Sequence, residues 1–95
     1  MHIVVNHLRL GSPVPGSALR ALEEEALPRC REIPGFVGAH LVRVDDEHHI
    51  MVVLGADEET LTQVSSGPGG QWVREHLVPL MVGPPERHVG QVLTA

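Results

Sequence analysis

Several residue types that often carry chemistry are scarce or missing in this sequence. Its 95 residues include no lysine and no tyrosine, and only one cysteine, one tryptophan and one phenylalanine. Every permanent cation is therefore an arginine, and seven arginines against twelve acidic residues give a formal net charge of −5. A chain with this balance has no basic face, so we expect no nucleic-acid partner.

Disulfides and membrane-spanning runs are also missing. The single Cys30 has no internal partner, which suits a reducing cytoplasm. No apolar run approaches the roughly 20 residues that cross a bilayer, and Met1 is followed at once by a strand-like segment instead of a signal peptide. We therefore expect a cytoplasmic protein without a membrane partner. The hydrophobic share of 42% is ordinary for one globular domain over residues 1–95.

Apolar, often β-branched runs between Gly, Pro and Asp predict four strands. They cover residues 2–10, 36–44, 48–54 and 87–94, and a polar turn at residues 45–47 joins the second and third into a hairpin. Three helices lie between the strands. The first starts at Ala18 behind Ser17 as N-cap, and we expect a kink at Pro28 and continuation to residue 32. The second follows Asp57 as N-cap to residue 64, and the third covers residues 71–77 after a flexible joint at residues 65–70.

The predicted order β-α-β-β-α-α-β is a ferredoxin-like split βαβ fold of the α+β class, with helices on one face of an antiparallel sheet. The third strand, residues 50–54, is apolar on both faces. The face without helices must then be buried too, and a second copy of the chain is the simplest cover. We expect a homodimer that forms a dimeric α+β barrel. Aspartate in place of Val52 or Val53 should dissociate or unfold it.

Trp72 and His76 lie four residues apart and so share one face of the third helix. On a functional interpretation, Trp72 lines a substrate pocket and His76 is the catalytic base. On the alternative interpretation, Trp72 is ordinary core and His76 is an edge histidine.

Asn6 is unusual in the middle of a strand, where asparagine is depleted, and a buried amide needs hydrogen-bond partners. We take Asn6 as a candidate catalytic residue that orients a ligand carbonyl or oxygen. His7 points to the opposite sheet face, so whichever of the two faces the helices belongs to the pocket. His7 and His40 are further candidate substrate-binding residues.

The seven histidines do not form a metal-binding pattern. His48 and His49 are adjacent on a strand and face opposite ways, and no helix face carries a ligand array. We therefore expect no metal and no cofactor. Cys30 is expected to be a buried structural thiol, and residues 67–70 lack the lysine of a phosphate-binding loop.

Two stretches carry a resemblance to a known family. One is Ile33-Pro34-Gly35-Phe36-Val37-Gly38-Ala39-His40-Leu41-Val42-Arg43, and the other is Met51-Val52-Val53-Leu54 followed by Asp57-Glu58-Glu59-Thr60-Leu61. Their pattern resembles the antibiotic biosynthesis monooxygenase family over nearly the whole chain. The resemblance implies a small dimeric α+β barrel, and a cofactor-independent monooxygenase acting on an aromatic or polyketide-like molecule.

The same resemblance leaves two other functions open. The family's heme-degrading branch uses an Asn on the first strand, where Asn6 stands, together with a Trp and a His. Val64 and Val73 take those two positions here, so we expect weak or no heme turnover. The other alternative is a non-catalytic barrel that binds a small ligand or is purely structural.

Overall fold

The computed structural model describes residues 1–94. Four antiparallel strands form one sheet in the order β2-β3-β1-β4. The fold is the predicted α+β ferredoxin-like arrangement, with its helices packed on a single face of the sheet. The strands are β1 (His2–Arg9), β2 (Phe36–Arg43), β3 (His48–Gly55) and β4 (Glu86–Gln91).

The helical layer consists of short segments. No helix among residues 1–94 is long and apolar enough to cross a membrane. The segments are α1 (Gly16–Ala21), a π-helical segment (Leu22–Ala26), α2 (Leu27–Cys30), α3 (Glu58–Ser66), α4 (Pro68–His76) and a 3₁₀ turn (Val78–Leu80).

The first helical stretch passes Pro28 as expected but ends at Cys30, two residues before the predicted end. The widened turn that precedes the proline is π-helical, with the Leu27 N–H donating to the Leu22 carbonyl five residues back. A π turn of this kind is a local adjustment that lets a helix continue where regular bonding fails. The prediction of Ser17 as N-cap is wrong: the helix begins at Gly16, two residues before the predicted start, Pro15 holds the cap position, and no side chain caps it.

The joint predicted at residues 65–70 is also wrong in extent. Helix α3 continues to Ser66, α4 begins at Pro68, and Gly67 alone separates them. Gly70 in α4 must be a glycine because the two helices approach closely, and a Cβ at this position would overlap the Ser65 carbonyl oxygen. Asp57 is the N-cap of α3 as predicted, and its carboxylate accepts the Thr60 N–H at 2.8 Å.

The sheet has two chemically different faces, which the strand register defines. On the face toward the helices, Val4, Leu8 and Met51 are buried and join the core with Trp72 and Leu77. We call the opposite side the open face, because the structure places no helix on it. Directly paired strand residues share a face. Its members are Ile3, Val5, His7, Arg9, Gly38, His40, Val42, His48, Ile50, Val52, Leu54, Glu86, His88 and Gly90.

The last strand is an edge strand paired to β1 alone. It begins at Glu86 and ends at Gln91, shorter than the predicted residues 87–94, and all six of its residues are exposed. At the other end of β1, Leu10 leaves the ladder and makes one isolated bridge to Met81. We call the sheet face that packs against the helices the inner face. The bridge brings the segment after α4 back against the sheet, so Met81 and Pro85 lie beside this inner face.

Candidate functional site

A cavity of about 240 Å³ lies between the helices and the inner face of the sheet. Seven buried lining residues form its floor: Val4, Leu8, Leu22, Cys30, Met51, Leu61 and Val64. Four exposed lining residues, Ser65, Arg74, Pro85 and Arg87, mark its mouth. An apolar interior with a few polar groups is typical of a small-molecule site, and the volume lies below the roughly 300–1,000 Å³ of drug-sized pockets. The cavity suits a ligand of two or three fused rings.

Asn6 is the polar group that β1 places in this cavity. It is half-buried, and its amide makes no hydrogen bond to another protein group within the described residues. Its neighbours Val4 and Leu8 on the same face are buried core residues, so the strand cannot turn Asn6 away without exposing them. An unpartnered amide in an apolar cavity can bind a ligand oxygen.

Two arginines accompany Asn6. Arg87 on β4 pairs directly with Asn6 in the strand register, so the two side chains leave the sheet side by side. Arg74 comes from α4, and one of its Nη atoms lies 3.1 Å from the position of a Cβ on Gly70, another cavity residue. No acidic residue and no histidine lines the cavity. The site is therefore apolar with a cationic mouth.

Cys30 contributes a thiol to the floor and is 2% exposed. Burial raises the pKa of this thiol, against the lowering effect of Arg29 and Arg31. The thiol therefore stays protonated at neutral pH, which agrees with the predicted structural role.

The expectation that Asn6, Trp72 and His76 share one cavity is wrong. Trp72 is 3% exposed, and its indole N–H donates to the Ala18 carbonyl oxygen at 2.9 Å, which ties α4 to α1. His76 lies beside it, with ring centroids 5.6 Å apart. A buried indole N–H needs an acceptor, and this acceptor turns the Trp72 side of α4 toward α1 and away from the sheet cavity.

His7 and His40 lie on the open face, on the other side of the sheet from the cavity. Of the adjacent pair Asn6 and His7, Asn6 is therefore the residue that faces the helices. His7 and His40 do not line the cavity. His7 Nδ1 is 3.0 Å from His48 Nε2, and His88 Nε2 is 2.9 Å from a Glu86 carboxylate oxygen. Despite this cluster, the described part of the chain holds no group of three or more His, Cys, Asp or Glu side chains that could bind a metal ion.

Sequence reasoning missed the two arginines. Arg87 stands at the predicted start of the last strand, and its face follows only from its pairing with Asn6. Arg74 is two residues after Trp72, on a helix whose pocket side is predicted from Trp72 and His76. Gly70, Val73 and Arg74 lie on the side of α4 that lines the cavity, and no local pattern in the sequence distinguishes this side from that of Trp72 and His76.

Val64 and Val73, at the positions that the heme-degrading branch gives to Trp and His, both line the cavity. Because the lining contains no imidazole, the cavity offers no histidine as an axial ligand to heme iron.

Comparisons with known proteins place the fold. No family model matches the sequence, and no curated protein matches it. Among solved structures, SnoaB, a cofactor-independent oxygenase from Streptomyces nogalater, aligns with a TM-score of 0.71 at 16% identity. The alignment covers 99% of this chain and 94% of SnoaB.

Two further structures give the same result. The monooxygenase from the gene ActVA-Orf6 of Streptomyces coelicolor, solved in complex with the ligand Nanaomycin D, aligns with a TM-score of 0.69 at 19% identity, over 99% of this chain and 92% of that chain. A Caulobacter crescentus protein provisionally named an antibiotic biosynthesis monooxygenase reaches 0.72 at 15% identity, over 98% and 90%. The suspected resemblance is thus confirmed at the level of structure: this chain has the fold of the antibiotic biosynthesis monooxygenases.

Proposed function

We propose that the protein is a cofactor-independent monooxygenase that oxidises a small aromatic molecule in the cavity between helices and sheet. The observation that carries this proposal is the unpartnered Asn6 amide in an apolar cavity with two guanidinium groups at its mouth. The fold shared with SnoaB and with the ActVA-Orf6 monooxygenase supports the same reaction class.

The reaction needs little from the protein when the substrate itself reacts with oxygen. An anthrone-type substrate loses a proton from its ring CH₂ to solvent water at the mouth of the cavity and becomes an enolate. The enolate reduces O₂ and combines with it to form a peroxide, which loses water and leaves a C=O at that carbon. One oxygen atom enters the product and the other leaves as water, so no external reductant is required.

The residues of the cavity suit the first of these steps. The Asn6 N–H can donate to the oxygen that becomes negative in the enolate, in an apolar setting where such a bond is strong. Arg87 stands beside Asn6 and adds positive charge near that oxygen. Both effects favour loss of the substrate proton, and the apolar floor keeps water from the peroxide.

Anthrone is a direct test of this proposal. We expect oxygen uptake above the buffer background, with anthraquinone formed in equal amount. Asn6→Ala should reduce the rate by about 10²-fold if the amide stabilises the enolate oxygen. Gln91→Ala, on the exposed end of β4, is the matched control and should retain the rate. Oxygen uptake that is unaffected by Asn6→Ala would contradict the assignment.

A non-catalytic ligand-binding protein is the second candidate, and one observation favours it. The cavity lining contains no His, Asp or Glu that could take the substrate proton. Under this alternative, anthrone binds with one molecule per chain and is oxidised no faster than in buffer alone. Calorimetric titration alongside the oxygen measurement distinguishes the two functions.

The open face supports a further proposal, that two copies of the chain pack sheet against sheet as a homodimer. Its apolar members include Ile3, Val5, Ile50, Val52 and Leu54, and Val42 is 43% exposed. A contiguous apolar sheet face is stable in water only when it is covered. Sedimentation equilibrium at micromolar concentration should give twice the mass of 10.3 kDa, whereas a monomer would contradict this proposal.

A further inference from the structure

The charge at the cavity is opposite in sign to the net charge of the chain. Acidic residues outnumber arginines by twelve to seven over the whole sequence. The cavity nevertheless takes two arginines, Arg74 and Arg87, and no acidic residue. The mouth of the cavity is therefore cationic, although the protein as a whole carries a net negative charge.

Neither arginine is neutralised by the protein. The ion pairs among residues 1–94 join Arg43 to Asp46, His76 to Glu75 and His88 to Glu86, and none involves Arg74 or Arg87. Arg29, by contrast, donates to Gln71 on the outer side of α4. The two cavity arginines therefore keep their hydrogen-bond donors free for a ligand.

The two arginines line the same cavity from different layers of the fold. Arg87 rises from the edge strand β4 next to Asn6, and Arg74 folds back along α4 over Gly70. One guanidinium thus comes from the sheet and one from the helical layer, and both belong to the same mouth. An arginine fork binds a carboxylate with two parallel N–H···O bonds, which a neutral oxygen cannot match.

We infer that the ligand of this cavity is a planar aromatic carboxylate, with its rings in the apolar interior and its carboxylate between Arg74 and Arg87. This inference refines the proposed function by naming the substrate class, and it holds for a binding protein as well as for an oxygenase. The carboxylate fixes the orientation, because the charged end stays at the solvent-exposed mouth. The opposite end of the ring system then lies against the buried floor.

The test compares two ligands that differ only in charge. 2-Naphthoate and 2-naphthamide have the same ring system and nearly the same shape, but only the first carries a carboxylate. Isothermal titration calorimetry should show 2-naphthoate binding at least tenfold more tightly. Raising the salt concentration should weaken 2-naphthoate and leave 2-naphthamide unchanged, because salt screens charges at an exposed mouth.

Variants assign the effect to the two side chains. Arg74→Gln and Arg87→Gln should each weaken 2-naphthoate about fivefold to tenfold, with no change for 2-naphthamide. The double variant should bind both ligands equally. Arg87→Lys should restore part of the affinity, since it returns the charge without the fork. Arg20→Gln, on the exposed side of α1 outside the cavity, is the matched control and should change neither ligand.

The outcomes separate this inference from the proposed function. Equal affinity for the two ligands, or an equal loss of both in the arginine variants, overturns the carboxylate assignment and leaves the oxygenase proposal to the anthrone test. Preference for 2-naphthoate without any oxygen uptake from anthrone supports the assignment and contradicts the oxygenase. Binding of neither ligand overturns the assignment of the cavity as an aromatic site.

Discussion

The inner and open faces of the sheet use the same strands for different purposes. On the inner face, Val4, Leu8 and Met51 are buried under helices, and Asn6 and Arg87 open onto a cavity. On the open face, apolar residues alternate with the histidines at positions 7, 40, 48 and 88, which hydrogen-bond to one another or to Glu86, or are exposed. Residues adjacent in the chain therefore have unrelated roles. Those on the inner face form the core and the cavity, and those on the open face form a surface without helices.

The largest expected effect separates the faces at two neighbouring positions. Met51 is 6% exposed in the core, whereas Val52 is on the open face. Met51→Asp places an unpaired carboxylate in the core and should lower the free energy of unfolding by about 3–5 kcal/mol, enough to unfold a small domain. Val52→Asp should leave the monomer folded and abolish the proposed dimer. Circular dichroism and sedimentation equilibrium measure the two effects.

The comparison would fail if both variants behaved alike. A folded Met51→Asp protein would mean that the inner face is more open to water than the structure shows. A Val52→Asp protein that stays dimeric would place the subunit contact elsewhere. Val52→Thr keeps the shape and the β-branching of valine and adds a polar group without a charge, so it separates the effect of the carboxylate from that of polarity alone.

A smaller effect is expected from the contact that joins the helices over the inner face. Trp72→Phe removes the indole N–H bond to Ala18 and part of the ring volume, and should lower the free energy of unfolding by about 2 kcal/mol. The Ala18 carbonyl keeps the Leu22 N–H as a partner, so no acceptor is left bare. Urea denaturation followed by circular dichroism gives the value. 2-Naphthoate affinity should not change, because Trp72 does not line the cavity.

The smallest effect concerns a buried histidine. His49 faces inward with 4% exposure, its Nδ1 has no partner, and burial holds the pKa of its imidazole below the ordinary value, with Arg43 acting in the same direction. Below about pH 6.5 the unfolded chain takes up a proton at this residue before the folded chain does, so stability falls as the pH falls. Wild type should therefore lose more stability than His49→Leu between pH 7.5 and 5.5 in urea denaturation. Equal losses would show that His49 is not the responsible group.

Local signals in the sequence predicted much of the fold. The turn at residues 45–47 forms because the Asp45 carboxylate accepts the N–H groups of Glu47 and His48, and Asp57 caps α3. Ser17 shows the limit of such signals. It has the right chemistry for a cap, but the helix starts at Gly16 behind Pro15, and Ser17 lies inside it. Propensity identifies the helix but does not fix its first residue.

The site residue on strand β1 could be predicted from the sequence, whereas those on helix α4 could not. Alternation along β1 is strict, so the buried Val4 and Leu8 determine that Asn6 faces the helices. Trp72 and His76 failed as pocket residues because a helix can turn about its axis. The hydrogen bond from Trp72 to Ala18, 54 residues away in sequence, decides that rotation, and no local pattern encodes it.

The π-helical segment Leu22–Ala26 has a consequence for comparing this sequence with its homologues. A π turn accommodates one more residue than the α turn it replaces, so loss of one residue from the Glu23–Glu25 run would restore a regular helix without rotating Leu27 and Cys30 away from the cavity. A regular turn at this point would bring the ring of Pro28 against the carbonyl four residues back. Homologues with a one-residue gap here should therefore also lack the proline, so that the insertion and the proline are gained and lost together.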